Sequence, residues 1–460
     1  MKSQNGFVIL IASVAAIGGF LFGFDSGVIN GTVTALQSQF NSSSVGTGFS
    51  VASMLLGCAL GAFIAGPFAD RFGRKKMLTY TALGFAFSAW GSGYADASSL
   101  FIVFRLLGGI AVGAASVLAP AYIAEVAPPQ LRGRLASLQQ LAIVLGLLSA
   151  FLSNYTIAHA SGGASEEWWG GWHAWRWMFW VELLPAIALF IGSLIIPETP
   201  RFLVRAGKQE EAAAVFRRIG GGDPHQMVIA IKATLSSETK PRLRDVLDQK
   251  GKVYPLVWLG MILSIFQQFV GINVVFYYGE VLWRAAGFSE EQALQVNLLS
   301  GAVNVLSTFV AIALIDRLGR KPLLLAGSTG MALSLGAVAF CFSQGSIGSE
   351  GTLELTSGYA LAALVFANLY VFSFGTSWGP VVWVLLGEMF PNSYRGAALS
   401  LGAGVQWVAN FAITMTFPVF LQSLGLAPSY LIYAFFAALS FVFVKKFIQE
   451  TKGRSLEEMG

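Results

Sequence analysis

The sequence predicts an all-α membrane protein of twelve helical spans, and three observations predict it. Of the 460 residues, 55% are hydrophobic and only 12% are charged, whereas a soluble domain carries about 25% charge to cover its surface. The apolar residues gather in runs of about 20, each long enough to cross a hydrocarbon core of roughly 30 Å as a helix. The Lys and Arg residues sit in alternate breaks between the runs. A soluble enzyme is excluded. The formal charge of +5 follows from topology, so a nucleic-acid partner is not implied.

Taken in order, the first run starts near Phe7 behind a single lysine, has no small-residue cleavage pattern and continues past Asp25, so it reads as a membrane helix and not a signal peptide. The spans of the first half fall at 7–36, 47–70, 77–95, 99–124, 133–157 and 172–196. Those of the second fall at 253–285, 293–317, 322–343, 357–387, 393–421 and 427–449. The chain therefore divides into an N-terminal six-helix bundle (1–196), a cytoplasmic linker (197–252), a C-terminal six-helix bundle (253–449) and a cytoplasmic tail (450–460). In the linker, mixed charges and helix formers such as Glu210, Glu211 and Ala212 predict short amphipathic helices. Basic residues near helix ends stay on the cytoplasmic side. All but Arg105, Arg176 and Arg284 lie in the termini, in the breaks after even-numbered spans or at the span ends beside them, which places both termini in the cytoplasm. Cys58 and Cys341 lie in separate apolar runs, so neither a disulfide framework nor a thiolate metal site is indicated.

An internal repeat supports the halving. Asp70-Arg71-Phe72-Gly73-Arg74-Lys75 recurs as Asp316-Arg317-Leu318-Gly319-Arg320-Lys321, 246 residues on. Glu125 precedes Arg132-Gly133 by seven residues, and Glu388 precedes Arg395-Gly396 by the same interval, 263 residues on. Pro197-Glu198-Thr199-Pro200-Arg201 closes one half and Glu450-Thr451-Lys452-Gly453 the other. Parallel repeats place a substrate site between halves that rock against each other. The acids Asp70, Glu125, Asp316 and Glu388 recur beside the bases, which orientation alone does not demand. This points to gating latches and not merely to flanking charge, with glycine permitting the tight reversal.

On these residues the chain resembles the sugar porter family of the major facilitator superfamily over nearly its whole length. The Asp-Arg-x-Gly-Arg element marks only the superfamily. Its combination with Pro197 to Arg201, with Gln267-Gln268-Phe269-Val270-Gly271-Ile272-Asn273 and with Arg395-Gly396 is specific for sugar porters. The resemblance implies the major facilitator fold, a functional monomer in the cell membrane, and a cytoplasmic gate made by Asp70, Arg71, Arg74, Glu125, Arg132, Glu198, Arg201, Asp316, Arg317, Arg320, Glu388 and Arg395.

Asp25 lies about 18 residues into the first apolar helix, and Arg105 lies inside span four. An unpaired charge in hydrocarbon is costly, so the two are expected to face the interior and pair. Protonation of Asp25 would release Arg105, coupling a proton to a conformational change; the bland reading is a static ion pair. In similar sugar porters an aspartate here accompanies proton symport. Glu182 in span six is a second intramembrane acid, expected to tune the pair.

A neutral, hydroxyl-rich substrate is best held by groups that both donate and accept, with an aromatic face for the ring. Gln267, Gln268 and Asn273 lie within two helical turns, and Asn304, Trp383, Gln406 and Trp407 add amides and rings. A lone intramembrane amide is usually interhelical glue, but a cluster in one half is harder to dismiss. By resemblance, Gln140 joins these in contacting sugar, and Phe22, Tyr277, Gly379 and Trp407 line the pocket. Leu147 stands where a xylose-transporting relative has glutamine, which tilts the expectation from pentose toward hexose.

The expectation is import of a monosaccharide, D-glucose or a related hexose, with a proton. A proton-independent facilitator and a non-transporting sugar sensor are the alternatives. Gly375 to Gly379 spell Gly-x-Ser-x-Gly, but in an apolar helix this is a small-residue stretch and not a nucleophile elbow. The GxxxG spacings at Gly57 and Gly61, and at Gly109 and Gly113, read as close helix packing. His159, His173 and His225 lack metal-ligand spacing, and no phosphate loop is present, so no metal, cofactor or ATP is expected. The tryptophans from Trp168 to Trp180 read as interfacial anchors.

Overall fold

The computed structural model describes residues 2–128, 132–220, 222–237, 243–248, 250–347, 353–391 and 394–452. In the first half of the chain the helices are α1 (Lys2–Val28), α2 (Val33–Phe40), α3 (Ser44–Phe72), α4 (Arg74–Tyr94), α5 (Ser98–Val126), α6 (Arg132–Ser161), α7 (Ala174–Trp180) and α8 (Leu183–Ile195). The linker forms α9 (Pro200–Arg205), α10 (Gln209–Ile219) and α11 (Pro224–Ser237). The second half forms α12 (Pro255–Phe269), α13 (Ile272–Ala285), α14 (Glu290–Leu318), α15 (Arg320–Ser343), α16 (Ser357–Gly375), α17 (Trp378–Met389), α18 (Arg395–Leu424) and α19 (Leu426–Phe447). A two-residue antiparallel pair, β1 (Ser346–Ile347) with β2 (Leu353–Glu354), is the one sheet among the described residues.

Among the described residues, eleven stretches are long and apolar enough to cross a membrane. The range expected as span three is α4, a helix of 21 residues, about 31 Å at 1.5 Å per residue. It opens on Arg74, Lys75 and Lys76 and carries Thr, Ser and Gly along its length, so its composition is the least apolar of the set.

Several expected spans are broken helices. The first passes through a 3-10 turn, Ile29–Gly31, before α2. Span six is interrupted at Val181 and Glu182. Span seven breaks at Val270 and Gly271, whose φ of 88° is open to glycine, and a Cβ there would lie 2.7 Å from the Tyr433 ring. Span ten breaks at Thr376 and Ser377, within the small-residue stretch noted in the sequence. Non-helical backbone at membrane depth is tolerated where protein satisfies it: Tyr370 Oη donates to the Val270 carbonyl at 2.8 Å.

Packing divides the chain into two compact units: Met1–Ser26, Leu56–Ala150 and Phe179–Lys240 in the first, and Gly27–Leu55, Phe151–Met178 and Pro241–Gly460 in the second. In the first unit, Val8, Ile11, Leu78, Leu118 and Tyr122 form one core with Ala212, Phe216 and Ile219 of α10, so the linker helices pack on the membrane helices. Thr199 caps α9 and Pro200 starts it. Gly57 and Gly61 of α3 sit against α5 backbone, where a Cβ would lie 2.2 Å from the Leu106 and Ile110 carbonyls. The second unit is centred on Trp378, Tyr370, Tyr278, Tyr433 and Phe390, all buried. Its α14 opens on a capping box, Ser289 with Gln292.

Candidate transport site

In the first unit, α1 carries Asp25 and α5 carries Arg105, and burial leaves them 2% and 1% exposed. The Arg105 Nη1 donates to Asp25 Oδ1, and Nη2 donates to the Asp25 carbonyl at 3.3 Å. Pairing is what makes two membrane-buried charges tolerable. Gly108 allows the approach of α5: a Cβ there would lie 2.3 Å from Ser88 Oγ and 3.3 Å from Asp25 Oδ2. That second carboxylate oxygen is buried with no hydrogen-bond partner among the described residues. Arg105 also lies over the Phe179 ring, 5.7 Å from its centroid. Glu182, 1% exposed, stands at the break between α7 and α8 and feels the charges of both Asp25 and Arg105. Phe22 and Gln140, also of this unit, are half-buried.

In the second unit, four of the predicted amides, Gln267, Gln268, Asn273 and Gln406, form one chain across the break in span seven. Gln267 Nε2 donates to the Trp378 carbonyl at 2.8 Å and the Gly379 carbonyl at 3.2 Å. Its Oε1 accepts from Gln268 Nε2 at 3.4 Å and from Gln406 Nε2. Asn273 Nδ2 donates to Gln268 Oε1. Gln267, Gln268 and Asn304 are buried, Asn273 and Gln406 half-buried, and Trp383 is 43% exposed. Tyr277 is buried, while Gly379 and Trp407 are half-buried. The Asn304 carbonyl accepts from Ser307 and Thr308 at 2.8 and 2.9 Å, which leaves its side-chain amide separate from that work. The arrangement is a row of uncharged donors and acceptors with an exposed indole, suited to hydroxyl groups and not to ions.

The two sequence repeats fold into matching charge clusters, each inside one unit. Gly73 and Gly319 share φ 94°, where an L side chain is strained. Arg74 reaches Glu125 Oε1 through Nε and Nη2, both at 3.1 Å, and Asp70 at 3.0 Å. Arg320 grips both Glu388 oxygens, at 2.9 and 2.7 Å, and Asp316 at 3.2 Å. Glu198 accepts the backbone N–H of Arg74 and Lys75, and Glu450 accepts those of Arg320 and Lys321. Burial pushes the Glu198 carboxyl above its ordinary range. For Glu450 burial acts the same way, but backbone N–H groups of Lys452, Arg320, Lys321 and Thr451 outweigh it and hold the group below that range. Arg71 lies over the Phe72 ring, Arg395 Nε donates to the Phe390 carbonyl at 3.1 Å, and the Arg317 carbonyl accepts from Lys452. The Arg201 side chain is half-buried. Arg132 opens α6, and its side chain lies outside the described residues.

A family model described as "Sugar (and other) transporter" matches residues 11–460. The chain belongs to the sugar transporter family. This sugar porter is similar to the glucose transport protein of Synechocystis sp., 55% identical over 454 residues, 98% of this chain and 97% of that one. It is similar to the D-xylose-proton symporter of Escherichia coli K12, 38% identical over 489 residues, 99% and 96% of the two chains. Among solved structures, the inward-open xylose transporter XylE of E. coli aligns with TM-score 0.84 at 36% identity over 98% of this chain and 99% of that one. The same symporter bound to 6-bromo-6-deoxy-D-glucose aligns with TM-score 0.78 at 37% identity over 99% of each chain. The porter has the major facilitator fold, a multi-pass membrane architecture of twelve helices, and is a transporter and not an enzyme.

Sequence reasoning about this porter missed several supports. Trp378 is fully buried, its Nε1 donating to the Leu324 carbonyl and Ser328 Oγ, and so fixes the carbonyls that Gln267 uses. Thr451 Oγ1 donates to Glu388 at 2.6 Å. Glu280 is a third acid buried inside a span, pairing with Arg284 one turn on. Its i,i+4 spacing to Arg284 was the available signal.

Proposed function

We propose that this transporter imports a monosaccharide, D-glucose or a related hexose, together with a proton, by alternating access. The observation that carries the coupling is the buried Asp25 and Arg105 pair, in which one carboxylate oxygen is committed to the guanidinium and the other is open to a proton. Protonation at Oδ2 removes the negative charge, so Arg105 loses the partner that justified its burial and must find another arrangement. The Phe179 face and the Glu182 carboxylate are the groups at hand, which gives Glu182 its tuning role. The proton gradient supplies the energy; its electrical part is worth about 2.3 kcal/mol per charge per 100 mV.

The sugar is held by Gln267, Gln268, Asn273, Asn304 and Gln406, with Trp383, Trp407, Tyr277 and the Gly379 backbone beside it. Phe22 and Gln140 of the first unit are added by the family resemblance. The names of the relatives, a glucose transport protein and a D-xylose-proton symporter, support the substrate class. The two charge clusters act as cytoplasmic latches, holding the outward-open state and breaking on inward opening. The porter works as a monomer of two six-helix halves, 1–196 and 253–449, in the cell membrane with both termini cytoplasmic. The test is addition of glucose to de-energised cells or proteoliposomes at neutral pH: sugar-dependent alkalinisation of the outer medium is expected. Glucose entry with no accompanying proton uptake assigns the protein to the facilitators instead.

A further inference from the structure

In the first unit, Ser88 of α4 is 3% exposed and stands against the coupling pair. Its Oγ donates to the Phe104 carbonyl of α5 at 2.8 Å. A carbonyl can only accept, so the single hydrogen of this hydroxyl is committed there, and what remains on Oγ are lone pairs. Gly108, one turn along α5 from Phe104, leaves a notch that Ser88 and Asp25 share. A Cβ on Gly108 would lie 2.3 Å from Ser88 Oγ and 3.3 Å from Asp25 Oδ2, so at most about 5.6 Å separates the two oxygens, the reach of one bridging water or a small turn of the serine.

Two oxygens that can only accept do not bond to each other, which fits the lack of a hydrogen-bond partner for Oδ2 among the described residues. Adding a proton to Oδ2 changes this. The carboxylic O–H becomes a donor, and the Ser88 lone pair is an acceptor already in place. A group that bonds only the protonated form favours that form. Arg105 pulls the other way, because it binds the carboxylate through Oδ1. The other titratable groups that the Asp25 charge reaches are Cys58 of α3 and Glu182 at the break between α7 and α8. Both stay in place when Ser88 is altered, so a change in such a variant reports the hydroxyl.

We propose that Ser88 is a positioning residue for the coupled proton: its hydroxyl, held by Phe104, accepts the O–H of protonated Asp25 and so raises the proton affinity of the pair. The one covalent change is formation of the Oδ2–H bond, with a proton taken from the medium, while Ser88 keeps its own. The inference rests on the reading above that Asp25 takes the proton, and on no choice of sugar. The test is a pH titration of the purified protein in lipid nanodiscs without sugar, followed by infrared difference spectroscopy of the carboxylic C=O stretch, with the Asp25 band assigned by its loss in Asp25→Asn. Ser88→Ala is expected to move the Asp25 midpoint about half to one pH unit toward acid, the equivalent of one neutral hydrogen bond. It is also expected to raise the C=O stretching frequency, since the O–H loses its acceptor. Ser88→Thr, which keeps the hydroxyl, is expected to restore both. Gly108→Ala, whose Cβ would displace Ser88 Oγ, is expected to move the midpoint the same way as Ser88→Ala. A parent-like midpoint in both Ser88→Ala and Gly108→Ala overturns the proposal. So does an alkaline shift in Ser88→Ala, which would mean that the hydroxyl had been donating to the carboxylate. So does an equal acid shift in Ser92→Ala, one turn away and fully buried, which would report loosened packing of α4. Absence of any band lost in Asp25→Asn overturns the reading of Asp25 as the proton site and this proposal with it, whereas a lost band that the Ser88 and Gly108 variants leave unmoved overturns the proposal alone.

Discussion

Gln267→Leu is the most informative perturbation of the amide chain, because it keeps volume and removes every polar bond at the chain's centre. The side chain makes two bonds to backbone carbonyls and accepts two from amides. A neutral hydrogen bond contributes about 0.5–1.5 kcal/mol net, and an abandoned buried partner costs about 1–3 kcal/mol. Gln406 and Gln268 can turn toward other acceptors, while the Trp378 and Gly379 carbonyls are pinned by α17. The loss is therefore about 2–4 kcal/mol, to be shared between folding and sugar binding. If about half falls on binding, KM for glucose rises roughly 5- to 30-fold at 1.4 kcal/mol per decade. Equilibrium counterflow in proteoliposomes measures this without a driving force, and the melting temperature in detergent measures the rest. A double-mutant cycle with Gln406→Leu should show coupling of about 1 kcal/mol, since the two amides share a bond. A KM within twofold of native in Gln267→Leu, with unchanged melting, would refute the placement of this chain at the sugar.

Three further outcomes follow from the clusters and the break. Arg320→Lys should lower the melting temperature more than Arg74→Lys, because Arg320 holds both Glu388 oxygens while Arg74 reaches one oxygen of Glu125; lysine cannot form the fork, and equal effects in thermal melts would count against that geometry. Glu450, held below the ordinary carboxylate range, contributes stability that is present above that range and lost as pH falls through its own lowered value. The melting deficit of Glu450→Gln should therefore shrink as pH is lowered through and below the carboxylate range, whereas Glu198, pushed upward by burial, should give a Glu198→Gln deficit that does not shrink over the same interval. Gly271→Ala should cost about 1–2 kcal/mol for the left-handed backbone alone, plus displacement of the Tyr433 ring that a Cβ would meet at 2.7 Å; unchanged melting and unchanged transport would show that the break is not held in this form.

The membrane helices were legible because lipid imposes a length and a composition on each of them. The two charge clusters were legible because their acids and bases recur at fixed offsets, and a repeat in sequence becomes a repeat in geometry at Gly73 and Gly319. Asp25 and Arg105 were legible because a charge in hydrocarbon must find its opposite. What the sequence hid are partners on the backbone. Gln267 was expected to point into a cavity; it is buried and bonded to carbonyls of α17, which no residue pattern announces. The break at Gly271 turns the spacing of Gln268 and Asn273 from a helical one into a bond across a kink. Glu280 was hidden because its neighbour Arg284 reads as an ordinary flanking base at a helix end. The weakly apolar α4 was expected as a span at 77–95 and forms a helix over Arg74–Tyr94.

Coupling of a proton to sugar movement through Asp25 is read from uptake of labelled glucose driven by a pH gradient in proteoliposomes. The native protein is expected to accumulate glucose above the outer concentration, and Asp25→Asn to exchange glucose in counterflow without accumulating it. Accumulation by Asp25→Asn equal to that of the native protein, or exchange by both with accumulation by neither, rules out coupling through Asp25 and leaves Asp25 and Arg105 as a static pair that fixes the packing of α1 on α5.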